Sequence, residues 1–265
     1  MIEFQDLHKS FGAKRVLDGF TLTVNDGETL VIIGYSGTGK SVAIKHVVGL
    51  LEPDAGRVAV DGEIVSELDR PRLTALRARI GFVFQFAALF DSMSIFDNVA
   101  FGLRRRRDLS EADVAARVAE ALALVDLAGT EQRMPAELSG GMRKRVGLAR
   151  AIAIRPKYML YDEPTTGLDP VTSAVIDELM VRTREALGGT SIVITHDMRS
   201  AYRVGDRIAM LYQGRLRAVG TVDEIRASPD PVVRGFVEGR PRDPDAEEAE
   251  PLSQREEVAV EGSQG

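Results

Sequence analysis

Residues 28–48, ETLVIIGYSGTGKSVAIKHVV, restrict this chain more than any other stretch. Thr29 to Ile33 is a short, nearly continuous apolar run, the pattern of a strand buried on both faces of a parallel sheet. It feeds into Gly34-Tyr35-Ser36-Gly37-Thr38-Gly39-Lys40-Ser41, which fits G-x-x-x-x-G-K-[ST], and apolar residues then recur at helical spacing. The glycines of such a loop let backbone N–H groups turn inward and cradle β- and γ-phosphates. Lys40 adds a point charge there, and Ser41 supplies a hydroxyl ligand to Mg²⁺.

The rest of the chain alternates strands with helices, which predicts a mostly parallel α/β sheet. IEFQDL and GFTLTV read as strands, and GRVAVDGEIV as a hairpin turning at Asp61-Gly62. RIGFVFQ, KYMLYDEP and TSIVITHD are further short β-rich runs, with a helix from about Pro170 to Leu187 between the last two, and RIAMLYQGRL closes as a hairpin. SEADVAARVAEALALV is an amphipathic helix with Ser110 as N-cap and Asp113 three residues on. From about Asp91 to Arg155 strand patterning is missing, which predicts a separate helical lobe.

Charge is distributed unevenly. Residues 241–265 hold eight acids and two bases and account for the whole formal net charge of −6, whereas residues 1–240 balance 32 bases with 32 acids. The body of the chain therefore carries no electrostatic case for nucleic acid. The acidic, aromatic-free tail predicts a solvated or partner-ordered segment. No apolar run approaches the roughly 20 residues that cross a bilayer. The N-terminal stretch carries no export pattern, and with no cysteine in the chain this fits a reducing cytosol.

Two further motifs carry chemistry. YMLYDEP places Asp162 and Glu163 at the end of an apolar strand. Beside a phosphate loop, Asp162 is expected to hold Mg²⁺ through water and Glu163 to polarise the attacking water. LSGG, with Ser139, Gly140 and Gly141, precedes a helix whose N–H groups and positive dipole end suit a second phosphate. A single domain has one γ-phosphate, already wrapped by residues 34–41. The simplest resolution is a head-to-tail dimer in which each LSGG closes over the nucleotide of the other subunit.

The order GYSGTGKS, Gln85 after a strand, LSGG, YMLYDEP, TTGLD and His196 resembles the ATPase subunits of ABC transporters. The resemblance covers residues 1 to about 225. It implies a P-loop NTPase (ABC ATPase) core with a mostly parallel sheet, an antiparallel β subdomain and a helical lobe. It implies a domain over 1–227 (lobe about 91–155), an extension over 228–240 and the acidic tail over 241–265. It also implies a homodimer with two ATP molecules at its interface. By position, Phe11 looks like the aromatic that stacks on adenine, with a core residue as the other reading. Gln85 looks like the glutamine that senses Mg²⁺ and water, Asp169 like the aspartate contacting the opposite site, and His196 like the γ-phosphate switch histidine. Met142 stands where most such signatures have glutamine. It loses a polar side chain but leaves Ser139 and the backbone donors in place.

LSGGMRKRVGLARAIA, ALFDSMSIFDNVAFGL and SPDPVVRGFVEG narrow the resemblance to the ATPases of Mla/MCE-type phospholipid transporters. That implies an integral membrane permease, MCE-domain proteins beyond it, in some bacteria a STAS-domain protein, and a peripheral place on the cytoplasmic side of the inner membrane. Six of the ten phenylalanines (Phe82, Phe84, Phe86, Phe90, Phe96, Phe101) surround Gln85, part core and part a groove suited to a partner's helix. The run Arg104 to Arg107 reads as a solvated surface or as a contact for acidic loops or headgroups. DPVVRGFVEG reads as a terminal helix or as an arm anchored across a dimer by Phe236. The alternative class, a soluble ABC-type ATPase of translation or DNA repair, fits less well. Such proteins join two cassettes or insert long modules, and here Ser41 and Leu138 are 97 residues apart.

Overall fold

The computed structural model describes residues 1–106 and 108–240. Arg107 and the acidic tail over 241–265 lie outside the described residues. In chain order the elements are β1 (Ile2–Phe11), β2 (Lys14–Val24), β3 (Thr29–Ile33), α1 (Lys40–Val47), β4 (Ala55–Val60), β5 (Glu63–Ile64), α2 (Arg70–Arg77) and β6 (Ile80–Val83). Then follow α3 (Ile95–Leu103), α4 (Glu111–Leu124), α5 (Gly140–Ala153), β7 (Tyr158–Asp162), α6 (Pro170–Leu187) and β8 (Thr190–Ile194). The chain ends with α7 (Met198–Val204), β9 (Arg207–Tyr212), β10 (Arg215–Thr221), α8 (Val222–Arg226) and α9 (Pro231–Val237). The described residues fall into two compact units, one of residues 1–67 and 195–240, the other within 68–194.

In the first unit β2, β1, β4 and β5 form an antiparallel sheet in that order. Its inward positions include Ile2, Phe4, Leu17, Phe20, Leu22 and Val24, and the Phe4 and Phe20 rings lie 5.3 Å apart. β3 is buried at every residue and pairs in parallel with β9, which turns back into β10. The β4–β5 and β9–β10 hairpin turns use consecutive left-handed residues, Asp61 (φ 52°) with Gly62 (φ 81°) and Gln213 (φ 46°) with Gly214 (φ 79°). That twist matches the right-handed twist of the flanking strands.

In the second unit β6, β7 and β8 are parallel neighbours, and β7 and β8 are buried throughout. Such strands need cover on both faces, which is why their sequences are apolar without alternation. Between 91 and 155 the described residues form helices and turns and no strand. Each α-helix there starts on a side-chain cap: Ser94 for α3, the Ser110–Asp113 capping box for α4 and Ser139 for α5. α3 and α4 both pack on α5. Fully buried Asn98 holds the turn before α3, donating to the carbonyls of Phe90, Met93 and Ser94 and accepting from the Phe90 N–H. α2, capped by Asp69 with Pro71 in its first turn, has only Leu76 buried and so gives little apolar periodicity to read in sequence.

Candidate functional site

The phosphate loop links β3 to α1 within the first unit. Gly34 takes φ +147°, and a Cβ there would overlap the Leu211 carbonyl. Gly39, the N-cap of α1, takes φ +104°, and a Cβ would lie 2.8 Å from the Val16 carbonyl oxygen. These positions require glycine for conformation and for space. Gly39 has no side chain to cap α1, and the first turn carries no acid. The N-terminal N–H groups and positive dipole end therefore face the loop, the arrangement that receives an anion. Lys40 is only 4% exposed, and its Nζ donates to the carbonyls of Gly34 at 2.7 Å and Tyr35 at 2.9 Å. Thr38 Oγ1 donates to the same Tyr35 carbonyl at 2.9 Å. Ser36 and Gly37 lie exposed at the tip, and Ser41 is half-buried in the first turn of α1.

Phe11 and His196 belong to the same unit, and both are exposed. Phe11 ends β1 with Lys9 Nζ 5.8 Å from its ring centre, so it presents an aromatic face rather than filling the core. His196 follows buried Thr195 and precedes Asp197, the N-cap of α7.

The second unit holds the acidic pair. Asp162 ends β7 and is buried. Glu163 takes a left-handed φ of 48°, strained for a residue with a Cβ, and its N–H donates to the Ile194 carbonyl at 3.0 Å. That turn brings its Oε2 to hydrogen bonds from Thr166 Oγ1 at 2.8 Å and Gln85 Nε2 at 3.3 Å. Below it the buried Lys144 of α5 donates to the Thr166 carbonyl at 3.1 Å. Burial pulls the Lys144 ammonium below its ordinary pKa, and the Glu163 charge opposes that shift.

Ser139 is exposed at the start of α5, and its Oγ accepts the Met142 N–H at 3.2 Å. Gly140 has open space around it, whereas a Cβ on Gly141 would lie 2.6 Å from Thr172 Cγ2. Asp169 caps α6, accepting the N–H groups of Val171 and Thr172, each at 3.0 Å, and the Thr172 hydroxyl. Those bonds, the hydroxyl first, hold its carboxyl below the ordinary range. Within this unit the structure therefore joins Gln85 to Glu163, and the LSGG helix to the helix that Asp169 caps.

Sequence reasoning missed Thr166, Lys144 and Arg150. Arg150 of α5 donates to the carbonyls of Ala87 and Ala88, each at 2.6 Å, and both alanines are left-handed, with φ of 59° and 49°. Nothing local in the sequence announces that clamp. The turn it grips carries Phe86 outward, 84% exposed, with Phe90 at 41%. Phe82 stacks on Phe84 with centroids 4.3 Å apart, and the Phe90 and Phe101 rings meet tilted at 4.7 Å, so the cluster is part core and part surface. In the arginine run, Arg104 pairs with Asp97 and Glu111, Arg105 covers the Phe101 ring and Arg106 pairs with Asp108. Among the described residues no cluster of three or more His, Cys, Asp or Glu could hold a metal unaided, and no helix is long and apolar enough to cross a membrane.

The family model for ABC transporters matches residues 17–166, from β2 through the phosphate loop and the acidic pair to Thr166. The chain belongs to the ABC transporter family. It is 42% identical over 239 residues to a probable ribonucleotide transport ATP-binding protein, mkl, of Mycobacterium bovis, covering 90% of this chain and 67% of that protein. It is 37% identical over 239 residues to the intermembrane phospholipid transport system ATP-binding protein MlaF of Escherichia coli, covering 90% of this chain and 89% of MlaF. The methionine import ATP-binding protein MetN of Xylella fastidiosa is 41% identical over 242 residues, covering 89% of this chain and 72% of MetN. Among solved structures, a dimeric post-hydrolysis state of the ATP-binding cassette MJ0796 bound to ADP and Pi superposes with a TM-score of 0.77 at 32% identity, covering 84% of this chain and 99% of that one. CbiO1 from Clostridium perfringens gives 0.78 at 30% identity, covering 88% and 93%. The chain is thus an ATP-binding subunit of an ABC transporter and hydrolyses ATP.

Proposed function

We propose that this subunit drives the movement of phospholipids, or closely related lipids, between membranes. The observation that carries the reading is the match to MlaF, which spans 89% of that protein and 90% of this chain. The mkl and MetN matches leave a larger part of those proteins uncovered. Two copies would close head to tail over two ATP molecules, Ser139, Gly140 and Gly141 of each serving the other's nucleotide, in keeping with the dimeric form of MJ0796.

In this reading Gly34 to Ser41 cradle the phosphates, Phe11 stacks on adenine, His196 senses the γ-phosphate and Asp169 contacts the opposite site across the dimer. Buried Asp162, the Gln85 amide oxygen and the Ser41 hydroxyl would be the Mg²⁺ ligands, all oxygen donors of the kind that ion takes. The ion would screen phosphate charge. Glu163 orients a water and takes its proton as the water oxygen bonds to the γ-phosphorus and the bond to ADP breaks. The exposed Phe86 and Phe90 beside Gln85 supply an apolar seat for a permease helix, and the partner set includes an MCE-domain protein and, in some bacteria, a STAS-domain protein. The place of work is the cytoplasmic face of the inner membrane.

Purification of the tagged protein from detergent-solubilised membranes, followed by mass spectrometry, tests this. A polytopic permease with an MCE-domain protein is the expected result. Recovery with a methionine or nucleotide permease, or with ribosomes in the soluble fraction, would overturn the lipid assignment.

A further inference from the structure

Tyr35, the second residue of the phosphate loop, carries a ring that the loop motif does not demand. That ring meets Phe236 of α9 edge to face, with centroids 5.0 Å apart and planes at 87°, and lies 6.1 Å from the Tyr212 ring. Edge-to-face pairs are directional, so they orient a side chain as well as bury it. The Tyr35 carbonyl is at the same time the shared acceptor for Lys40 Nζ and Thr38 Oγ1, each at 2.9 Å. The residue gripped by the C-terminal helix is therefore the residue whose backbone seats the loop's lysine.

α9 is itself anchored. Asp230 caps it, accepting the N–H groups of Val232 at 2.8 Å and Val233 at 3.2 Å, and its other oxygen pairs with Arg217 Nε of β10 at 2.9 Å. The pair is 5% and 2% exposed, and Val232 and Val233 are buried beside it. Displacing α9 would break this buried ion pair, and leaving either charge buried without the other is costly. The contact lies inside one chain, where the sequence left open an arm reaching to a second subunit.

We propose that Phe236 is a positioning residue for ATP binding: anchored through α9, it holds Tyr35, and through Tyr35 the Lys40 side of the phosphate loop, in the shape that receives the phosphates. A preorganised loop binds without first losing conformational freedom, so releasing it weakens binding rather than chemistry. The proposal rests on Lys40 as a phosphate-gripping residue.

The test is steady-state turnover of the full chain against Mg–ATP concentration. Phe236→Ala should raise KM for ATP about fivefold while kcat stays within twofold, and Phe236→Tyr, which keeps the ring, should remain near the unaltered chain. In a Tyr35→Leu background, Phe236→Ala should add nothing further, because its partner ring is already gone. An unchanged KM in folded Phe236→Ala, or an equal increase in both backgrounds, would overturn the proposal. Should Phe236→Ala not fold, Phe236→Leu keeps the apolar volume without the ring, and an unchanged KM there is equally decisive against it. Lys40→Ala, assayed alongside by equilibrium ATP binding, tests the underlying role: undiminished binding removes Lys40 from the site whatever Phe236 does.

Discussion

The Gln85 side-chain amide donates to Glu163 Oε2 at 3.3 Å, the same oxygen that accepts from Thr166 Oγ1 at 2.8 Å. Gln85 leads into the turn that carries Phe86, so one hydrogen bond ties the most exposed large apolar side chain of the unit to the acid at the end of β7. A partner that moves the Phe86 turn thereby moves a donor to the Glu163 carboxylate.

Glu163→Gln keeps the shape of that side chain and removes its capacity to take a proton. Turnover should fall at least ~100-fold, with ATP binding retained and a dimer accumulating in ATP on size-exclusion chromatography. Phosphate release at the unaltered rate would remove Glu163 from the chemistry.

Gly141 faces Thr172 so closely that a Cβ would lie 2.6 Å from its methyl carbon, and the Thr172 hydroxyl is held by Asp169. Gly141→Ala should therefore cost roughly 1–3 kcal/mol as an overpacked contact and lower turnover with it. Adding Thr172→Ser deletes the methyl and keeps the hydroxyl, so the double variant should recover most of both. Failure of that rescue in urea unfolding and in turnover would mean the glycine is needed for another reason.

Arg217 and Asp230 form an ion pair buried on both sides. Arg217→Met should cost about 3 kcal/mol, chiefly because Asp230 is left charged and unpaired. Chemical denaturation measures it. A loss comparable with that of an exposed pair such as Arg155–Glu120 would show that solvent or another cation reaches Asp230.

His46, buried in α1, shares its Nδ1 with the Val42 carbonyl at 2.7 Å. Burial, with a smaller contribution from the Lys9 charge, pushes its pKa below the ordinary 6.5, although the Val42 carbonyl pulls the other way. The unfolded chain then binds the proton more readily than the folded one. Stability is full above pH 6.5 and falls as pH drops through 6.5 toward the lower folded value, with a slope of at most about 1.4 kcal/mol per pH unit. His46→Leu should flatten that part of the profile in urea midpoints measured from pH 7.5 to 5. An unaltered slope would place the titration elsewhere.

Local signals were the ones legible in advance. The Ser110–Asp113 box, the Asp61-Gly62 turn and the α6 limits from Pro170 to Leu187 all appear where the sequence puts them, because a cap or a tight turn is decided within four residues. α2 was not legible, since an exposed helix with one buried leucine has almost no apolar period. Thr166 and Lys144 were not legible either. They gain meaning only when the turn after β7 brings the Thr166 hydroxyl to Glu163 and helix α5 brings the Lys144 ammonium to the Thr166 carbonyl.

By itself, the sequence determined the kind of loop, the kind of sheet and the types of residue that meet a nucleotide, because spacing along a strand–loop–helix sets backbone geometry over short range. Tertiary structure alone decided that Phe236 rests on Tyr35, that Arg217 neutralises Asp230 and that Arg150 holds two strained alanines in place. Those pairings join segments far apart in the chain. Each depends on which faces the packed elements turn toward one another, a property of the assembled unit that no local pattern of residues encodes.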